Sequence, residues 1–188
     1  SITYYPGVVA LPSGSAPNVL NKSFAISADI VAGKDGNDGA VFSLGGSDGG
    51  FGIQVRDNRP VFVGNFLNRS LTRATSTAPL PAGPVKLRAE FAYDGGGLGK
   101  GATISLYIDG EKTGEGRIDR STPMIFSLDD KTDVGSDRCT PVSDDYGSAE
   151  SVFNGRIDWI QIDLGEDAQD ADHLITPEER YNLAMALH

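Results

Sequence analysis

Apolar and polar residues alternate with a period of two along most of this chain. That period belongs to strands with one buried face. In SFAISADIV (23–31), Phe24, Ile26, Ala28 and Ile30 share one side, and Ser23, Ser27 and Asp29 the other. GAVFSLGG (39–46) and FGIQVRD (51–57) follow, joined by the turn residues Ser47-Asp48-Gly49-Gly50. PVFVGNFLN (60–68) and SLTRATS (70–76) come next. VKLRAEFAY (85–93) is the clearest strand: Val85, Leu87, Ala89, Phe91 and Tyr93 face inward, and Lys86, Arg88 and Glu90 face out. TISLYIDGEKTGEGRI (103–118) predicts a hairpin, because Asp109-Gly110 suits a type I′ turn with positive φ at both central residues. PMIFSLD (123–129) and VFNGRIDWIQIDL (152–164) complete the set; in the latter Ile160, Ile162 and Leu164 alternate with Trp159 and Gln161.

About ten or more short, evenly spaced strands with almost no helix predict an all-β fold. The expected architecture is a two-sheet antiparallel jelly-roll sandwich. One helix is expected, at 176–188. Thr176 can cap it, Pro177 fits its first position, and Glu179 completes a capping box. Tyr181, Ala184 and Met185 share a face of it, with Leu183 and Leu187 beside them. The acidic stretch DLGEDAQDADH before it is expected to be an exposed connector.

The chain has 188 residues, so a single domain over 1–188 is the expectation. Such a chain buries roughly 70% of the surface its unfolded form exposes. Lys plus Arg number 16 against 26 Asp plus Glu, a net charge of −10. An acidic surface repels phosphate backbones, so neither nucleic acid nor an anionic membrane is an expected partner. No stretch approaches the roughly 18 apolar residues of a membrane span. One cysteine excludes an intrachain disulfide and a cysteine-rich zinc site. The opening SITYYPGVV has no Met, basic n-region or apolar h-region, so the expectation is part of a longer chain.

Candidate chemistry is sparse. DGGGLGKGAT (94–103) resembles a phosphate loop, but Gly101 stands where Ser or Thr is required and no helix follows, so a long glycine hairpin is expected. No strand carries the Glu-x-Asp-x-(x)-Glu of retaining glucanases; Lys86, Arg88 and Glu90, or Asp158 and Asp163, are solvent-face charges. His173 and His188 have no partner at zinc spacing, and no base serves a nucleophilic serine. DGNDG (35–39) begins like a calcium loop, but Gly46 stands where the twelfth-position Glu belongs. Asp133, Asp137, Asp144 and Asp145 cluster in DVGSDRCTPVSDDY; calcium is weighed there against Asx turns and amide capping, and capping is preferred. No catalytic residue and no metal ligand is therefore assigned. Two Asn-x-Ser sequons begin at Asn21 and Asn68. Tyr4, Tyr5, Phe66, Tyr146 and Trp159 are candidates for a sugar-stacking or docking surface.

Several stretches together resemble one family. TYYPGVVALPSGSAPNVLNKSFAISADI, AEFAYDGGGLGKGATISLYIDGEKTGEGRIDRSTPMIFSLDD, and DVGSDRCTPVSDDY with FNGRIDWIQIDL are similar to the C-terminal region of bacterial, actinobacterial-type arylsulfatases. The resemblance covers nearly the whole chain. It implies a concanavalin A-like sandwich, a non-catalytic accessory domain that packs on its own upstream catalytic domain. It also implies that calcium and formylglycine belong to that upstream domain and that no cofactor belongs to this one. A carbohydrate-binding, lectin-like module for sulfated or neutral glycan is the alternative. Export and a cytoplasmic location both fit the family. Cys139-Thr140-Pro141 opens like the sulfatase signature Cys-x-Pro-x-Arg, but Val142 and Ser143 follow and the arginine is absent. Asp144 and Asp145 nearby would raise a thiol's pKa and repel sulfate, so Cys139 is expected to be a chance thiol in a turn.

Overall fold

A computed structural model describes residues 1–12, 16–123, 131–138, 140–146 and 150–169. The expected helix at 176–188, both histidines, Cys139 and most of the PMIFSLD stretch lie outside the described residues.

Twelve strands occur among the described residues: β1 (Ile2–Tyr4), β2 (Leu11–Pro12), β3 (Phe24–Ala32), β4 (Gly39–Gly46), β5 (Gly49–Arg56), β6 (Arg59–Phe66), β7 (Ser70–Thr75), β8 (Gly83–Tyr93), β9 (Ala102–Ile108), β10 (Glu111–Ile118), β11 (Lys131–Val134) and β12 (Arg156–Leu164). They form two six-stranded sheets, and every strand pair within them is antiparallel. Sheet I has the order β1-β12-β3-β8-β9-β10, and sheet II the order β2-β11-β4-β5-β6-β7. The expected jelly-roll sandwich is the fold found.

The alternation written in the sequence sets the faces. In β8 the residues Val85, Leu87, Ala89, Phe91 and Tyr93 are buried between the sheets. Phe24, Ile26, Ala28 and Ile30 of β3 join them. Phenylalanines fill the space between the layers: Phe24 stacks on Phe91 at 4.7 Å and tilts against Phe51 at 5.0 Å. Each fully buried side chain of this size contributes roughly 1.5–3 kcal/mol. The hairpin turn is as expected, with φ of 50° at Asp109 and 85° at Gly110.

Three short strands were not in the sequence pattern. β1, β2 and β11 have three, two and four residues, too few for alternation to register. Leu164 differs from its expected inward role: it ends β12 and is 40% exposed. The acidic connector also differs in part. Glu166–Gln169 forms a 3-10 turn, and the Asp167 carboxylate accepts hydrogen bonds from the Ser23 amide and hydroxyl, which pins it to β3.

Candidate functional site

The two sheets present unlike outer faces. Every residue of β4 is buried, and every residue of β5 except Arg56. A strand buried on both sides has cover on both sides, and here the segment after β11 supplies the second cover. Val142 packs with Val61, Val63 and Leu71 in a small apolar cluster of its own. The Asn65 amide donates to the Val142 carbonyl at 2.9 Å. Gln54 donates to the Asp145 carboxylate at 2.7 Å, and Arg73 reaches the same carboxylate through Nε and Nη2.

The acidic residues of this segment are engaged from within the protein. Asp133 accepts from the Ala10 and Arg138 amides. Asp137 accepts from the Val142 amide at 2.8 Å and the Tyr146 hydroxyl at 3.0 Å. Asp144 and Asp145 pair with Arg73. Among the described residues no three metal-ligating side chains converge. Burial pushes the Asp137 carboxyl up, although its hydrogen bonds oppose the shift. Burial works the same way on Asp145, but its bonds from Arg73, Gln54 and Ser143 prevail and hold it below the usual carboxylate range. Tyr146 is raised by burial and by the Asp137 charge beside it.

The five aromatic candidates separate. Tyr4 is 5% exposed and packs against Phe42, so it is a core residue and not a surface one. Tyr146 is half-buried with its hydroxyl given to Asp137, a structural role. Phe66 is half-buried beside the glycine loop, where it lines a cleft with Leu98, Lys100 and Arg120. Tyr5 is exposed at the edge of the sandwich. Trp159 alone stands on an open sheet face. Alternation puts the indole on the side opposite Ile160, and a bulge between Ile157 and Trp159 lets Ile157 face inward as well.

That open side is the outer face of sheet I. A polar row crosses all six strands: Thr3, Gln161, Ser27, Arg88, Tyr107 and Lys112 are successive partners. A second row holds Asp163, Ala25, Glu90, Ser105 and Glu115. Arg88 donates to Glu90 at 2.9 Å and to the Ser27 hydroxyl at 3.0 Å, and the Tyr107 hydroxyl donates to Glu90 at 3.1 Å. Gln161 donates to Asp163 at 2.9 Å. The Arg88 and Glu90 side chains keep 42% and 40% of their surface, so the middle of this face is uncovered. Tyr107 was not among the sequence candidates. Its signal was the polar side of Thr103-Ser105-Tyr107, alternating with Ile104, Leu106 and Ile108.

The glycine loop is a hairpin connection between β8 and β9, as expected. Its Gly99 and Lys100 amides are committed to Asn21 at 2.8 Å and to the Tyr93 hydroxyl at 2.9 Å. Asn21 is itself 2% exposed, so the first sequon is inaccessible in the fold, whereas Asn68 is exposed.

No family model matches the chain, and no curated protein matches it. Among solved structures it is similar to domains LG4-5 of the mouse laminin alpha1 chain, with 14% identity and a TM-score of 0.56. That similarity covers 85% of this chain and 40% of that one. It is also similar to the LG1-3 region of the laminin alpha2 chain, with 12% identity and a TM-score of 0.53, over 86% of this chain and 30% of that one. The chain thus spans less than half of either. Identities this low establish the concanavalin A-like sandwich and nothing finer. The arylsulfatase resemblance rests on the quoted stretches alone.

Proposed function

We propose that this chain is a non-catalytic accessory module that holds carbohydrate on the outer face of sheet I. The observation that carries the reading is the contrast between the two sheets. Sheet II has its outer face filled by the protein's own segment, while sheet I leaves an ordered polar face open with Trp159 and Tyr107 on it. Sugar sites need flat aromatic rings for C–H faces and fixed donors and acceptors for hydroxyls. Arg88, Glu90, Gln161 and Asp163 are held by one another, so they are preorganised. Fold likeness adds nothing here, because function lives in the site. The test is affinity electrophoresis and calorimetry of the chain against a mixed panel of neutral and sulfated polysaccharides. Retention by at least one, lost in Trp159→Ala, is expected. No binding by any of them at millimolar concentration would overturn the reading.

A second reading is compatible with the first: the module serves an arylsulfatase, as the resemblance implies. A cleft at one end of the sandwich, bordering sheet I's outer face at Arg156 and Asp158, favours docking. Pro6, Val134, Phe153 and Ile157 line this open cleft of about 530 Å³. Tyr5 and Val152, both exposed, are next in the chain to Pro6 and Phe153 of its lining. The coding sequence upstream of Ser1 is then expected to encode a sulfatase domain with a full Cys/Ser-x-Pro-Ser-Arg site. The isolated chain is expected to release no nitrophenol from an aryl sulfate.

A further inference from the structure

We infer that the outer face of sheet I takes a neutral oligosaccharide and rejects a sulfated one, the chain lying across the strands between Trp159 and Tyr107; this rests on the carbohydrate reading above.

Three observations lead there. The first is span. Trp159 pairs with Asp29 on β3, which pairs with Lys86 on β8; Tyr107 lies one strand further, on β9, and one pleat along. Three strand spacings and two residues of rise separate the aromatic positions by about 16 Å. That is the length of a short oligosaccharide and too long for one sugar ring. The second is relief. Between the two aromatics lies the small Ser27, with the longer Asp29, Lys86, Arg88 and Gln161 around it, and Ala25, Glu90 and Ser105 form the next row beyond Tyr107. A pyranose can approach the sheet there and meet both donors and acceptors.

The third observation is charge, and it selects the ligand. A sulfate group needs a cation whose charge is not already balanced. On this face four cations are already balanced. Arg88 is tied to Glu90 at 2.9 Å, Arg156 to Asp158 at 3.0 Å, Lys112 to Glu115 and Arg117 to Asp94. Lys86 is the exception, with Asp29 as its cross-strand neighbour but no ion pair between them. The carboxylates of Asp29, Glu90 and Asp163 stand among them, on a protein of net charge −10. A sulfate ester would have to displace a carboxylate or sit beside others. A hydroxyl would instead donate to those carboxylates and accept from Arg88 or Gln161.

Trp159 is the only tryptophan in the sequence, so its fluorescence reports binding at the site itself. The chain is titrated with cellotetraose, chitotetraose and maltotetraose, and with a chondroitin sulfate tetrasaccharide, at low and high salt. At least one neutral chain is expected to change the emission with an affinity that salt leaves unchanged. Tyr107→Ala should weaken it about tenfold, read from the same emission. Trp159→Ala should weaken it similarly by calorimetry, and Trp159→Phe should recover part of the loss. Circular dichroism confirms that the variants fold. Preference for the sulfated chain, weakening as salt rises, overturns the neutral assignment while leaving the carbohydrate reading standing. Neutral binding untouched by both aromatic substitutions overturns the site. Binding of none of the four, with none on the polysaccharide panel, overturns the carbohydrate reading itself.

Discussion

Two aspartates in one segment answer to acid in opposite directions. Asp137 has its folded pKa raised, mainly by burial. Its favourable contribution is therefore complete below the unfolded value of about 3.9 and is lost as pH rises through the folded value. Asp145 is held low, with Arg73 and Gln54 prevailing over burial. Its contribution is complete above that unfolded value and is lost as pH falls through the folded one. Asp137→Asn keeps an oxygen for the Val142 amide and the Tyr146 hydroxyl but carries no charge. Its stability relative to the parent protein should climb as pH goes from about 4 towards 7. Asp145→Ala strands the Gln54 amide and the Arg73 guanidinium. It should cost about 1–3 kcal/mol near neutrality, with a deficit that narrows in acid. Urea denaturation across that pH range checks both, and parallel curves for the two variants would sink the assignment.

At the scale of elements, the long strands were legible because one face of each is dry. VKLRAEFAY could be read inward and outward residue by residue, and β8 has that pattern. β4 and β5 were legible as strands but not as doubly covered ones. Nothing in GAVFSLGG says that Asp137, Thr140 and Ser151, about a hundred residues later, will close on it. The same distance hid the roles of Asp137 and Asp145, which depend on partners in β4, β5 and β7. Tyr4 was misjudged for a related reason: a strand of three residues gives no periodicity to say which side is in. Glycine is a second local signal with two meanings, and substitution separates them. Gly110 is needed for its φ of 85°, and a Cβ there meets nothing within 4 Å. Gly110→Ala should cost about 1 kcal/mol of conformational strain. Gly116 has no such φ, but a Cβ on it would lie 2.6 Å from that of Ala74, where β10 closes on β7 of the other sheet. Gly116→Val must push the sheets apart and should cost more than Gly110→Ala, about 1–3 kcal/mol. Equal midpoints for the two variants in thermal denaturation would refute this division.

Across the whole molecule the sandwich has one joined side and one side that must be protected. On the joined side β10 and β7 meet, and the Thr77 amide bonds to the Thr113 carbonyl at 2.7 Å. On the other side the sheets end at β1 and β2. Pro12 cannot donate to a further strand, so it blunts the edge of sheet II. In sheet I the three residues of β1 cover the flank of β12, with Ile2 opposite Ile162 and Tyr4 opposite Ile160. Without them a nine-residue strand would offer free backbone donors and acceptors to any neighbouring chain. Tyr4 adds a core contact to that edge role, and the two can be parted. Tyr4→Ala should lose about 3–5 kcal/mol, as large aromatic truncations do, yet stay monomeric because the β1 backbone still pairs. Deleting residues 1–5 should lose comparable stability and also associate as concentration rises, because β12 is then bare. Light scattering on both variants at matched fractions folded makes the comparison. A truncated chain that stays monomeric would mean that β12 is kept from pairing by something other than β1.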